Sequence, residues 1–499
     1  MTRSAWLRVL AFLAVGSVLV APVWTSPVLA TNDGPSHVYN AALAAGVRAG
    51  RAPFATYFQL QGGLRPNMAS QDLLVFLAPR VGWDAAERVV VALAMVATFG
   101  TLLALMGPAG STVAALLAPL AGWLASSWFV WGGAYDFALS IPCFVGLLAV
   151  LRRPRTRLSD GVVLLLLALL YVTHFFAFAV GVGLVLAVVG WRAMAWGEPW
   201  DRLLIALPGV AWLIIEMLSG GPGTGALLWR EPWEALRGLI MGDFVVSVSP
   251  LDVIGGAVIM GSVWAVATLR WRALRRTGRS ALAGEEVFGL GLLVLSLVAP
   301  HGVGEGTYIP IRMRYLGTLA LVPAIAGAAA ALRPARLAVL TAVLTAALVV
   351  HSALLVGDAR RTARDVVLID RLLAAAGAGE GSWVATRLTM YRRGLFHVAG
   401  YRHLVGRVAV YRNLVVLDNY EALYGVFSTV WRGTPDWLQF RQSTTGLTVR
   451  LAPGSIRWPG GVFVLHESGH ALQIADPRLA LGTSFSGGAF AVTLVRRLH

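Results

Sequence analysis

A single cysteine, Cys143, stands in 499 residues, so no intramolecular disulfide can form and redox chemistry has no support. It lies inside an apolar run, where a lone thiol behaves as a small buried hydrophobe. Charge is scarce as well: Asp, Glu, Lys and Arg make up 13% of the chain against 57% hydrophobic residues. A water-soluble protein of this length needs far more charge on its surface, which excludes a soluble globular class. Acidic residues are the scarcer sign, 25 against 41 basic, leaving a formal net charge of +16. A nucleic-acid partner could use that excess, but the arginines are not spread over one face. They stand in tight groups at the ends of apolar runs, as Arg152, Arg153, Arg155 and Arg157, and again as Arg270, Arg272, Arg275, Arg276 and Arg279. That placement is positive-inside anchoring of a membrane protein. Also missing are a glycine motif for nucleotide phosphates, an internal repeat and a disordered linker.

What the chain does have is a series of apolar runs separated by short polar clusters, the pattern of a chain solvated mainly by lipid. Residues 1–30 carry Arg3 and Arg8 before an apolar stretch too long for a signal peptide, so they read as a retained first helix. Further runs cover 86–106, 112–128, 134–151, 160–190, 203–218, 252–270, 286–300, 314–331 and 337–356. The run 160–190 is long enough for one oversized helix or for two short ones broken near Thr173 and His174. Charge chooses between them. With two helices, the Arg152 group, Arg192 with Arg202, the Arg270 group, and Arg333 with Arg336 all face the cytoplasm. One helix would put the last three groups outside. The expected fold is therefore a polytopic all-α membrane domain over 1–356 with roughly eleven hydrophobic spans.

With a cytoplasmic N-terminus, the first loop 31–85 and the loops 219–251 and 301–313 share the extracytoplasmic side with the region 357–499. That region has shorter apolar patches such as GRVAVYRNLVVLD and GGVFVLHES between Gly and Pro punctuation, and it reads as an extracytoplasmic α+β domain. Its arginine excess does not oppose this, because the charge rule weakens for long translocated domains. The expected location is the cytoplasmic membrane, with the chemistry on its outer face.

The sharpest local signal is Asn32, Asp33, Gly34, Pro35, Ser36 and His37, directly after the first span. A helix starting near Pro35 would place Asp33 to cap its first turn. Alternatively Asp33 is a general base that removes a proton from an acceptor hydroxyl or amine, helped or oriented by His37. The segment HGVGEGTYIPIRMRY holds His301, Glu305, Tyr308, Arg312 and Arg314 at the outer membrane edge, where arginine runs against the inward bias. A guanidinium fork suits the phosphate of a lipid-linked substrate, although it also suits ordinary headgroups or nearby carboxylates. His174, Glu216, and Tyr135 with Asp136 in WGGAYDF are further candidates near span ends. Trp229, Arg230, Glu231, Trp233, Glu234 and Asp243 form either a saccharide surface or an aromatic interface belt. His466, Glu467 and His470 match the zinc-hydrolase spacing, yet GGVFVL before them reads as a strand, and Gln473 stands where the long motif needs glycine. No metal is assigned there.

On these segments the chain resembles the GT-C membrane glycosyltransferases, especially bacterial members that use polyprenyl-phosphate sugars. Asp33 in NDGPSH matches the family's acidic position after the first span, and Tyr135, Asp136 and Phe137 look like its short aromatic segment at an early outer boundary. The resemblance implies that Arg312 or Arg314 engages the lipid phosphate, with Glu305 and Tyr308 beside it. The stretch 395–425, LFHVAGYRHLVGRVAVYRNLVVLDNYEALYG, also looks like a segment that recurs in such proteins. The first loop lacks the paired acidic residues of protein mannosyltransferases, so the acceptor stays open between glycan, lipid and protein. The implied reaction moves a sugar from a polyprenyl-phosphate-sugar donor to an extracytoplasmic acceptor, with no nucleic-acid partner. A divalent cation is compatible, but Asp33 alone does not define a cation site. The rival readings are a transporter or lipid flippase using Asp33, His174 and Glu216, or a nonenzymatic envelope-assembly protein.

Overall fold

The computed structural model describes the chain apart from residues 1–2, 27, 64, 108–111, 219–226, 230, 246–251, 278–281, 304–305, 389–402, 425–426, 443–445 and 499. Glu305, Arg230, Arg279 and the start of the 395–425 stretch therefore lie outside the described residues, as does the side chain of Glu216. The chain divides into two compact units, one of Met1–Trp24, Val91–Val130 and Tyr135–Leu355, the other of Thr25–Val90, Trp131–Ala134 and Val356–His499.

The first unit is helical. Among the described residues five helices are long and apolar enough to cross a membrane: Trp83–Met106, Phe175–Trp196, Val253–Arg276, Ile309–Ala330 and Pro334–Ala375. Shorter apolar helices include Tyr135–Leu151 and Leu203–Ile215. The ambiguous run is two helices, Arg157–Thr173 and Phe175–Trp196. His174 breaks it by taking extended backbone (φ −161°), while its Nδ1 accepts from the amide of Ala177 at 3.4 Å. Small residues let helix backbones touch: a Cβ on Gly289 would lie 2.8 Å from the Gly317 carbonyl oxygen, and one on Gly317 2.9 Å from that of Gly289. Those two glycines seat the Gly284–Leu295 helix against Ile309–Ala330, whose Leu316, Leu319, Leu321 and Val322 are buried. Leu165, Leu218, Val294 and Val339 are exposed instead, and an outer surface of aliphatic side chains suits lipid, not water.

The second unit joins the first loop to the C-terminal residues. Its main sheet has five strands in the order Leu479–Gly487, Phe490–Arg497, Val462–Glu467, Trp383–Arg387, Val415–Val416. The first two pairings are antiparallel and the last two parallel. Ala471–Ile474, Gly446–Ala452 and Trp437–Gln442 form a three-stranded sheet. A third sheet pairs Phe58–Leu60, from the first loop, antiparallel to Thr429–Trp431, with Phe58 opposite Trp431. Strands that share a ladder occupy one side of a membrane, so loop 31–85 and the C-terminal residues lie together. The Phe58 and Trp431 rings are 4.2 Å apart and Trp431 stacks on Trp383 at 5.6 Å, which anchors this small sheet to the main one.

Candidate active site around Asp33

The Gly34–Arg48 helix starts where the sequence placed it, with Pro35 in its first turn and Asp33 at the N-cap position. The Asp33 side chain makes no capping hydrogen bond; only its carbonyl serves the helix, accepting from Ser36 at 3.0 Å and His37 at 3.1 Å. The carboxylate instead accepts from the Asn32 side-chain amide and faces His403 Nε2 at 3.8 Å. The Asp33 amide donates to the Gly132 carbonyl at 3.0 Å. Beside it Gly133 has φ +85°, and a Cβ there would fall 2.5 Å from the Gly34 nitrogen and 2.6 Å from that of Asp33. Only glycine permits both the left-handed backbone and that approach. The two glycines of WGGAYDF thus brace the loop that carries Asp33.

Below Asp33 the polar face of the Gly34–Arg48 helix is matched by residues from the C-terminal part. Ser36 Oγ donates to Glu421 at 2.5 Å, and Asn40 and Asn419 exchange amide hydrogen bonds at 3.3 and 3.0 Å. Gln71 Nε2 donates to the Asn40 carbonyl and its Oε1 accepts from Ser428 twice, each bond 3.1 Å long. Tyr39 donates to the Leu414 carbonyl at 3.0 Å and accepts from the Val416 amide at 2.9 Å. Burial pushes the Tyr39 phenol well above its ordinary range. Ser36, Tyr39, His403, Asp418, Asn419 and Glu421 line a water-sized cavity of about 10 Å³.

His37, expected to help Asp33, is engaged inward: its Nδ1 is 3.0 Å from Ser70 Oγ and its ring packs 4.9 Å from Phe427. Burial lowers its pKa to about 4, so it is neutral near pH 7. The imidazole beside the carboxylate is that of His403.

In the helical unit, Gly302–Val303 pairs antiparallel with Gly306–Thr307, and Tyr308 (φ +62°) turns the chain into the Ile309–Ala330 helix. The Tyr308 ring rests 4.7 Å from Trp128 and 5.1 Å from His301. Arg312 and Arg314 are two positions apart, so they leave the helix in different directions. Arg314 is buried and makes a two-pronged pair with Asp243, Nε donating to Oδ1 at 2.9 Å and Nη2 to Oδ2. Its Nη1 has no hydrogen-bond partner among the described residues. A Cβ on Gly238 would lie 2.4 Å from Asp243 Oδ2, so that glycine makes room for the pair. Arg312 lies over the Phe137 ring at 5.3 Å, and His174 meets the same ring at 5.0 Å.

By sequence, no protein-family profile and no curated protein matches the chain. By structure it is similar to ArnT from Cupriavidus metallidurans in the apo state, at 14% identity and a TM-score of 0.50, over 98% of this chain and 97% of that one. The fold is GT-C.

Within this fold the remaining candidates separate by what they touch. His466 and Glu467 end the Val462–Glu467 strand and His470 lies in the following turn, so the two histidines share no helix face. His466 Nε2 is 3.0 Å from Thr493 Oγ1, and His470 Nδ1 is 3.0 Å from Glu467. Among the described residues no group of three or more His, Cys, Asp or Glu side chains is disposed to hold a metal ion. Asp136 is buried in the first turn of Tyr135–Leu151. Sequence reasoning missed His403, Glu421 and Asn419 around Asp33, and Asp243 as the partner of Arg314. The first three stand in or beside YRHLVGRVAVYRNLVVLDNYEALYG, where two short polar clusters flank an apolar core, and that was the available signal.

Proposed function

We propose that this GT-C protein transfers a sugar from a polyprenyl-phosphate-sugar to an extracytoplasmic acceptor, with Asp33 as general base. The observation that supports it is a carboxylate at a helix N-cap that leaves the cap unmade, 35% exposed, and faces an imidazole. In the reaction Asp33 takes the proton of the acceptor hydroxyl or amine as that atom attacks the anomeric carbon. The bond from that carbon to the phosphate oxygen breaks, and the lipid phosphate leaves with the electron pair. Arg312 is proposed, from its own surroundings in the helical unit, as the cation that binds this phosphate, since Arg314 is already paired with Asp243. Tyr308 and Glu305 are proposed to flank it. The hydrophobic tail stays in lipid while the acceptor approaches from water, with the N-terminus in the cytoplasm and residues 357–499 outside.

The test is transfer by the purified protein in liposomes charged with labelled undecaprenyl-phosphate hexoses and pentoses. Release of undecaprenyl phosphate coupled to a glycosylated acceptor supports the reading, and no release from any such donor removes it. Asp33→Asn should insert normally and lose about 10²- to 10⁴-fold in turnover, the usual contribution of a positioned base. Unchanged turnover would reject Asp33.

A further inference from the structure

His403 stands at the N-cap position of the Leu404–Arg412 helix and is itself nearly buried, its side chain 10% exposed. Its Nε2 lies 3.8 Å from Asp33 Oδ1, too long for a hydrogen bond yet short enough for direct electrostatic coupling. What makes the approach notable is how firmly the short helix is held. A Cβ on Gly406 would lie 3.0 Å from the Pro35 carbonyl oxygen, so the helix rests on the first turn of Gly34–Arg48. One residue on, the fully buried Arg407 sits between Asp84, at 2.9 Å, and Glu87, at 2.5 Å. At its far end Arg412 pairs with Asp370, and Asn413 closes the helix in the left-handed region. Hydrophobic packing would fix such a helix at lower desolvation cost than a buried arginine with two carboxylates. Arg407 and its two carboxylates join this helix to the Trp83–Met106 helix, and the residue at its start is His403.

We propose that His403 is the positioning residue for Asp33, fixing the direction in which its carboxylate faces the acceptor. The helix start makes no claim on this carboxylate, because Pro35 has no N–H and the Ser36 and His37 amides already donate to the Asp33 carbonyl. Its direction is left to the imidazole opposite and the Asn32 amide. The other ionisable groups facing His403 across the small cavity are Tyr39, Asp418 and Glu421, while Arg407 turns away to Asp84 and Glu87. This inference rests on Asp33 being the base, and its test has one arm that needs no substrate.

In that arm the histidine Cε1 proton signals of the full-length protein in detergent are titrated against pH, with His403 assigned by its loss in His403→Gln. The His403 midpoint should fall when Asp33 is replaced by Asn, because a facing carboxylate favours the imidazolium. Identical midpoints in wild type and Asp33→Asn would overturn the pairing, whether or not a donor is ever found. In the kinetic arm His403→Ala should lower kcat about 10- to 100-fold, the scale of lost second-sphere orientation, with donor KM within about twofold. His403→Gln, which keeps a donor of similar reach, should recover part of the loss and serves if the alanine variant fails to fold. Wild-type kcat in His403→Ala overturns the positioning role. A shifted midpoint with normal turnover in Asp33→Asn would instead show that the pair exists and that the base is another residue.

Discussion

Asp33 and His466 belong to the same unit, and they differ in what the fold requires of them. His466 is 3% exposed, with Nε2 on Thr493 Oγ1 and Nδ1 at the Glu467 carbonyl, both at 3.0 Å. Its ring is a cross-strand contact that ties Val462–Glu467 to Phe490–Arg497. Asp33 lends its backbone to a helix start but leaves its carboxylate partly exposed beside an imidazole. The helical unit repeats the contrast: Arg314 is locked to Asp243, whereas Arg312 lies on an aromatic ring. In each pair one side chain is buried in a hydrogen-bonded contact, His466 on Thr493 and Arg314 on Asp243, while the other meets a ring, Asp33 facing an imidazole and Arg312 a phenyl.

The contrast predicts its largest effect at the arginines. Arg314→Ala leaves the Asp243 carboxylate buried without its partner and should cost about 3–5 kcal/mol, the range for breaking a buried pair from one side. Arg312→Ala loses a cation–π contact worth about 1 kcal/mol and should cost less than Arg314→Ala, while raising the KM for the proposed lipid-linked donor. Denaturation midpoints of the two variants in one detergent decide it. Equal losses of stability would erase the distinction between them.

A middle-sized effect is expected from His37, which the fold holds neutral. Its folded-state pKa of about 4 lies below the usual 6.5, so between these values the unfolded chain binds the extra proton. The contribution is fully present above pH 6.5 and falls away as pH drops toward 4. The loss at the acid end is on the order of 3 kcal/mol. His37→Gln should flatten stability against pH in that window. An unchanged slope would mean that another group carries it, and that His37 is not the desolvated ring described above.

Much of the helical architecture was legible because lipid imposes a plain rule, long apolar runs with cations at their ends. The break at His174 was readable for the same reason, since only two helices reconciled the arginine groups with one side of the membrane. Asp33 was legible too, because a proline and a glycine mark the helix start that follows it. The partners were not. Asp243 to Arg314, and Asp33 to His403, are long-range pairings between segments whose local composition carries no trace of one another. Gly133 was visible as a residue but not as a requirement, because its role comes from the Asp33 and Gly34 backbone pressed against it. The HESGH stretch misleads in the opposite sense. Its spacing has meaning only on a helix, and the β-branched and aromatic GGVFVL before it makes a strand.

The smallest effect is therefore expected at His466 itself. In His466→Ala the Thr493 hydroxyl loses one partner but keeps Ser484 Oγ at 2.8 Å, so the cost should sit near the lower end for a broken buried hydrogen bond, about 1 kcal/mol. Sugar transfer should be unchanged, and bound zinc, measured on the purified wild type and variant, should not differ between them. The weight of this prediction is in its asymmetry with Asp33→Asn, an isosteric change that should leave the fold alone and stop turnover. If His466→Ala instead abolished transfer while the midpoint held, a ring built into a sheet would be working at the reacting atoms. Commitment to the fold would then be no guide to which polar residues in this protein do chemistry.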